Sequence, residues 1–230
     1  MPIYQLDPAH PTLFPPIHLA NADSPAALGG DLTIERLVAA YHQGYFPWYN
    51  EPPILWWNPD PRFVLFPDQL KVSKSMRPYF NQRKYRVTYD QQFSTVLHNC
   101  RATPRRGQQG SWIDDDIAQA YANLYKAGYA HSVEVYDRQD QLIGGLYGIA
   151  LGRVFFGESM FAHARDASKF GFIALVRRLK QRGYFLVDCQ QETAHLKSLG
   201  AEAIDRAIFA GYLAKINLEH TELGPWNNDY

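Results

Sequence analysis

The sequence predicts an α+β protein in two parts: a small N-terminal domain over residues 1–65 and a larger domain over 66–230 with a mainly antiparallel sheet. Three observations carry this. The first segment is punctuated by prolines and glycines, which deny it long regular elements. Three strand-like runs then follow one another between residues 131 and 161. After them helical and strand patterns alternate to residue 216, and strands in a row followed by helices make an α+β plan.

In chain order, Thr33 is placed to cap a helix with Leu37, Val38 and Tyr41 on one face and Gly44 as its stop. Gly29-Gly30-Asp31 and Phe46-Pro47-Trp48 flank it as turns. Pro52-Pro53, Asn58-Pro59 and Asp60-Pro61 bias their preceding residues away from helix, predicting a rigid irregular loop that bears Trp56 and Trp57. A second helix is expected over 114–126, with Asp114, Asp115 and Asp116 at its positive end. Those three carboxylates are also a possible metal-ligand pattern. Strands are expected over 131–136, 142–151 and 154–161, joined by Asp137-Arg138-Gln139-Asp140 and by Gly152-Arg153. Asp166 is placed to cap a helix that runs to Arg182 and ends at Gly183. A strand over 184–190, a helix near 192–199, a strand at Ala203 and a helix over 205–216 complete the order.

Composition narrows the function. Aromatic residues make up 14% of the chain, with 15 Tyr, 13 Phe and 5 Trp, enough for a core of rings or for a stacking surface. Two cysteines, Cys100 and Cys189, are too few for a disulfide framework or a zinc site. There is no basic, apolar leader and no membrane-length apolar run, so the expectation is a cytoplasmic protein without membrane contact. The net charge is zero, yet its distribution is uneven. Residues 71–110 hold nine bases (Lys71, Lys74, Arg77, Arg83, Lys84, Arg86, Arg101, Arg105 and Arg106) against one acid, Asp90. Residues 1–70 hold seven acids against two bases. Clustered cations gain by releasing phosphate counterions, so the basic segment is a candidate polyanion surface or else a solvated face.

Three stretches carry candidate chemistry. In Phe156-Gly157-Glu158-Ser159-Met160-Phe161 a carboxylate interrupts an apolar strand, where an unpaired charge is costly. In Leu186-Val187-Asp188-Cys189-Gln190, strand alternation puts Asp188 and Gln190 on one face and Val187 and Cys189 on the other. The third is the tryptophan-rich loop with Trp48 and Trp112. Glu158 and Asp188 are open to a structural reading too, as ion-paired or backbone-bonded groups. Gly157-Glu158-Ser159 begins like a nucleophile elbow, with His163 or His195 as base, but Phe161 stands where the elbow needs glycine.

Taken with Gly29-Gly30-Asp31-Leu32, Ala40-Tyr41 through Gly44 to Trp48, Trp56-Trp57-Asn58-Pro59-Asp60-Pro61-Arg62, Ser111-Trp112-Ile113, Ala130-His131-Ser132-Val133-Glu134, Gly144-Gly145-Leu146-Tyr147-Gly148, Ala167-Ser168-Lys169 and Ser198-Leu199-Gly200-Ala201, these stretches form an ordered set spanning nearly the whole chain. In that order the sequence resembles the leucyl/phenylalanyl-tRNA–protein transferases. The resemblance implies a GNAT-like acyltransferase domain behind the small N-terminal one. It implies transfer of Leu or Phe, sometimes Met, from aminoacyl-tRNA to an acceptor protein beginning with Arg or Lys, which creates a bacterial N-end rule degradation signal.

Residue roles follow from the resemblance. Asp188 and Gln190 are the implied catalytic pair. On one reading Asp188 polarises Gln190 so that it draws a proton from the acceptor amine, with Glu158 supplying negative charge; on another the proton passes through the tRNA's terminal ribose hydroxyl and Gln190 only positions the amine. The aminoacyl pocket maps onto Leu146, Phe155, Met160, Phe172, Leu175, Leu179 and Val187, residues that would serve equally as core. The terminal adenosine maps onto Trp48, Trp112 and Tyr121, where bases stack on rings. Lys74, Arg77, Arg83 and Lys84 are the leading tRNA backbone contacts. The ester is already activated, so neither metal nor cofactor is expected. The alternative is an acetyl-CoA-dependent GNAT-type acyltransferase, against which residues 160–166 offer no glycine for a pyrophosphate loop. A non-enzymatic tRNA-binding module would leave Glu158, Asp188 and Gln190 without a purpose.

Overall fold

The computed structural model describes residues 3–103, 111–216 and 219–228. Arg105 and Arg106 of the basic segment lie outside them. Among the described residues the elements are β1 (Tyr4–Gln5), β2 (Ala27–Leu28), α1 (Ile34–His42), β3 (Phe46–Pro47), β4 (Leu55–Trp57), β5 (Arg62–Leu65), α2 (Arg77–Asn81), β6 (Arg86–Tyr89), α3 (Phe93–Ala102), α4 (Asp115–Lys126), β7 (Ala130–Tyr136), β8 (Leu142–Leu151), β9 (Val154–Ala162), α5 (Ala167–Gln181), β10 (Leu186–Gln190), α6 (Ala194–Ser198), β11 (Glu202–Ile204) and α7 (Arg206–Ile216).

Local chemistry sets several of these bounds. Thr33, Asp114 and Thr193 each accept a hydrogen bond from a first-turn N–H, from Arg36, Ile117 and Leu196 respectively, so α1, α4 and α6 start where capping residues stand. Two of the three aspartates at the start of α4 are therefore occupied locally: Asp114 caps, and Asp115 pairs with Arg101. Asp166 departs from expectation. It precedes α5 in the left-handed conformation and makes no capping bond; its carboxylate instead accepts from the Tyr79 hydroxyl at 3.3 Å. Trp56 and Trp57 depart too, lying in the short strand β4 rather than in an irregular loop.

The strands form a small sheet ordered β1-β2-β4-β3 and a seven-stranded sheet ordered β11-β5-β10-β9-β8-β7-β6. The large sheet is antiparallel except between β9 and β10. The expected α+β architecture is thus present, with an antiparallel meander (β7 to β9) continued by a helix and a parallel strand. Residues 62–65, the end of the segment assigned to the small domain, run inside the large sheet as β5. Alternation divides the core. Val64, Phe156 and Leu186 face one cluster shared with the N-terminal segment, α3, α4 and α7, while Leu65, Phe155 and Val187 face another shared with α5. No helix among the described residues is long and apolar enough to cross a membrane.

Candidate active site

The site begins where β9 and β10 stop pairing. Their last parallel pair is Phe156 with Asp188. Just beyond it both strands bulge. On β9, Gly157 faces Gly148 and Ser159 faces Tyr147, which leaves Glu158 as the extra residue. On β10, Asp188 faces Val64 and Gln190 faces Phe63, leaving Cys189 extra. A bulge bends its strand and re-aims side chains. Gly148 makes the first bulge possible, since a Cβ there would lie 2.2 Å from the Phe156 carbonyl oxygen.

Between the parted strands lies a cavity of about 420 Å³. Leu146, Phe155, Met160 and Phe172 supply apolar wall; Trp48, Trp112, Phe46 and Pro47 form an aromatic rim; Glu158, Asp188, Gln190, Ser168, Thr193 and His195 bring polar groups. Burial, reinforced by Lys169, lowers the His195 pKa, so this wall carries a neutral imidazole near pH 7. Of the expected pocket residues, Leu175, Leu179 and Val187 do not line the cavity. They are fully buried in the cluster behind it.

Glu158 is the centre of a polar cluster. Its Oε1 accepts from the Tyr41 hydroxyl at 2.7 Å and from the Gln190 side-chain amide at 2.9 Å, and its Oε2 accepts from the Tyr121 hydroxyl at 2.7 Å. The two tyrosine oxygens are themselves 2.6 Å apart. Burial is the largest influence on Glu158 and, with the nearby Asp188 charge, raises its pKa to about 7; the tyrosine hydroxyls and Arg62 oppose that rise. Tyr121, expected beside the adenosine, is fully buried and stands behind Glu158 rather than on the cavity wall.

Asp188 is differently engaged from what the sequence suggests. It is fully buried and held bidentately by Arg62, with Nε to Oδ1 at 2.8 Å and Nη2 to Oδ2 at 2.6 Å. Arg62 is equally buried, donates from Nη1 to the Gly44 carbonyl at 3.0 Å, and lies between the rings of Phe46 and Phe209. Asp188 meets Gln190 through the Gln190 main-chain N–H, 2.9 Å from Oδ1, while the Gln190 side chain turns to Glu158. Gln190 has φ +63°, left-handed backbone that non-glycine residues seldom adopt. Cys189 is no nucleophile, because burial and the neighbouring Asp188 push its thiol well above the ordinary range. Ser159 lies within β9 rather than on a strand-to-helix turn, and His163 bonds Asn99, which leaves no elbow.

The basic residues Lys74, Arg77, Arg83 and Lys84 are exposed on and around α2. Tyr79 and Tyr85 in this segment donate to Asp166 and to the Arg165 carbonyl, tying it to the turn that enters α5 next to Ser168 on the cavity wall. Lys84 lies over both tyrosine rings. Sequence reasoning missed Tyr41 and Arg62 as parts of the site. A signal existed for Arg62: Arg36 and Arg62 are the two bases of an acidic 70-residue stretch, and both are fully buried. No group of three or more His, Cys, Asp or Glu among the described residues is placed to hold a metal ion.

Residues 64–214 match the leucyl/phenylalanyl-tRNA protein transferase family, and residues 30–60 match its N-terminal domain. The chain is 55% identical over 205 residues to the leucyl/phenylalanyl-tRNA–protein transferase of Pseudomonas entomophila, covering 88% of this chain and 90% of that one. It is 50% identical over 227 residues to the Myxococcus xanthus protein of the same name, covering 98% and 97%. Among solved structures, a GCN5-related N-acetyltransferase from Kribbella flavida is a distant likeness, 11% identical over 72% of this chain and 59% of that one, with a TM-score of 0.32. The protein belongs to the leucyl/phenylalanyl-tRNA–protein transferase family.

Proposed function

We propose that this protein moves leucine or phenylalanine, and sometimes methionine, from the 3′ end of a charged tRNA onto an acceptor protein that begins with Arg or Lys, in the cytoplasm. The product carries a bacterial N-end rule degradation signal. One observation carries the reading: an apolar cavity lies beside a carboxylate–amide pair, Glu158 and Gln190, under a rim of two indoles. Leucine and phenylalanine share an apolar side chain of similar bulk, which suits a slot walled by Leu146, Phe155, Met160 and Phe172. Trp48 and Trp112 suit a stacked terminal adenosine. Lys74, Arg77, Arg83 and Lys84, tied to the cavity's edge, suit the acceptor-stem phosphates.

The ester bond already stores the needed activation, so the site must position two substrates, accept protons and tolerate charge in the transition state. The Gln190 NH2 is engaged by Glu158, which leaves its carbonyl oxygen to accept a hydrogen bond from the acceptor amine. Asp188 acts in this reading by holding the Gln190 backbone, not by polarising its amide. The test is transfer of labelled Leu or Phe from tRNA to an Arg-starting peptide, with the N-acetylated peptide as control. Labelled product from the free peptide alone supports the reading. Equal labelling of both peptides, or none of either, ends it.

A further inference from the structure

We infer that Glu158, rather than Gln190, takes the proton from the acceptor's α-ammonium, and that Tyr41 and Tyr121 are positioning residues that hold its carboxyl in both protonation states. The inference rests on the aminoacyl-transfer reading above. It comes from counting hydrogens in the cluster. Tyr41, Tyr121 and the Glu158 carboxyl make three close oxygen–oxygen links: Tyr41 to Oε1 and Tyr121 to Oε2 at 2.7 Å, and Tyr41 to Tyr121 at 2.6 Å. Each phenol brings one hydrogen. With Glu158 ionised, both hydrogens point at the carboxylate and the link between the phenols has none. One added proton on Glu158 completes the ring: carboxyl to Tyr121, Tyr121 to Tyr41, Tyr41 to the other carboxyl oxygen. The cluster therefore has room for one more proton, on a carboxyl that lines the cavity where an amine would arrive.

The rest of the surroundings agree. Asp188 is committed to Arg62, and an uncharged amide such as Gln190 is a very weak base. Glu158 is a carboxyl whose pKa burial has raised to about 7, close to the value that suits a base working at neutral pH. The groups facing it are Tyr41 from α1, Tyr121 from α4, Gln190 and the Arg62-paired Asp188 from β10; Tyr147 of β8 packs edge-on against Tyr121.

The step balances as follows. The acceptor ammonium has three protons, and one passes to Glu158. The freed amine lone pair forms the C–N bond to the ester carbonyl carbon. Collapse of the tetrahedral intermediate breaks the C–O bond to the tRNA ribose, whose oxygen takes the second proton. The third stays on the new amide nitrogen, and Glu158 returns its proton to solvent.

Single-turnover transfer at saturating Phe-tRNA and Arg-peptide, followed from about pH 5.5 to pH 9, tests this. The wild-type rate is expected to rise with pH through an inflection near 7. Glu158→Gln is expected to lose the inflection and to slow transfer on the order of 100-fold, while puromycin still raises its melting temperature. Tyr41→Phe and Tyr121→Phe each remove a donor that favours the carboxylate more strongly than the acid, so each is expected to move the inflection to higher pH. A Glu158→Gln enzyme with the wild-type rate and inflection overturns the inference. So do tyrosine variants whose inflection stays put or falls, and these decide the matter alone should Glu158→Gln not fold. A wild-type protein that transfers nothing refutes the functional reading instead.

Discussion

The Arg62–Asp188 pair is the buried link between the strand that carries Gln190 and the segment that carries the aromatic rim, so breaking it should damage both stability and transfer. Both side chains are fully buried and joined by two charge-assisted bonds. At roughly 2.7 Å and an effective dielectric of about 20, the Coulomb attraction is on the order of 6 kcal/mol. Desolvation of both ions offsets much of that, but removing one partner leaves the other charged and buried, which costs about 3–5 kcal/mol. For a chain of this size that is roughly 6–20 °C in melting temperature. Arg62→Met should show this loss by thermal denaturation. Asp188→Asn keeps an oxygen for the Gln190 N–H yet strands the guanidinium, and should lose a similar amount. The double variant removes both charges and should lose much less than the two single losses combined, with a coupling of about 2 kcal/mol or more. Strict additivity, or a loss below about 1 kcal/mol in Arg62→Met, would refute the claim that this pair is a structural frame and return Asp188 to the list of reactive groups.

Other consequences can be checked separately. Because Glu158 is protonated more readily in the folded protein than in the unfolded chain, the native state binds the extra proton between about pH 4.5 and pH 7, and stability falls as pH rises through that window. Glu158→Gln should therefore be more stable than wild type at pH 8, by up to about 3 kcal/mol, and the gap should close below pH 4.5; denaturant titrations at the two pH values measure it. Gly148→Ala should cost about 1–3 kcal/mol or more and reduce transfer, because the new Cβ meets the Phe156 carbonyl and displaces the bulge that aims Glu158; a melting temperature and rate equal to wild type would count against that geometry. Reversing Arg83 and Lys84 to Glu should raise the KM for charged tRNA and flatten its salt dependence, leaving puromycin binding intact, whereas an unchanged salt slope would remove these residues from the tRNA interface.

Much of the fold was legible because ordinary rules apply there. The expected strands over 142–151 and 154–161 match β8 and β9 to within a residue, since largely buried apolar runs that meet at the tight Gly152-Arg153 turn have few alternatives. A capping oxygen at Thr33 and the run of aspartates from Asp114 marked two helix starts. Legibility failed in the basic segment. There β6 is a short edge strand, mostly half-exposed, so neither burial nor alternation disciplines its sequence, and charge was the louder signal. It failed also at β4, three residues between prolines, whose strand character comes from its neighbours in the small sheet.

At the site, residue identity was readable and wiring was not. Strand alternation placed Asp188 and Gln190 side by side, and from there a direct contact between their side chains was the natural expectation. That step assumes an unbroken period of two, and the structure breaks it twice, at Glu158 and at Cys189. The first break turns Glu158 toward Tyr41 and Tyr121, residues far away in sequence. The second, with the left-handed backbone of Gln190, swings that amide from Asp188 to Glu158. Strained backbone persists only where its surroundings enforce it, and here the enforcement is specific: Asp188 grips the Gln190 N–H, and Arg62 grips Asp188. The departures from regular strand are thus what bring an acid, an amide and two phenols to one side of an apolar slot. A sequence-based reading that assumes ideal strands goes wrong at those same positions because the chemistry depends on the strands not being ideal.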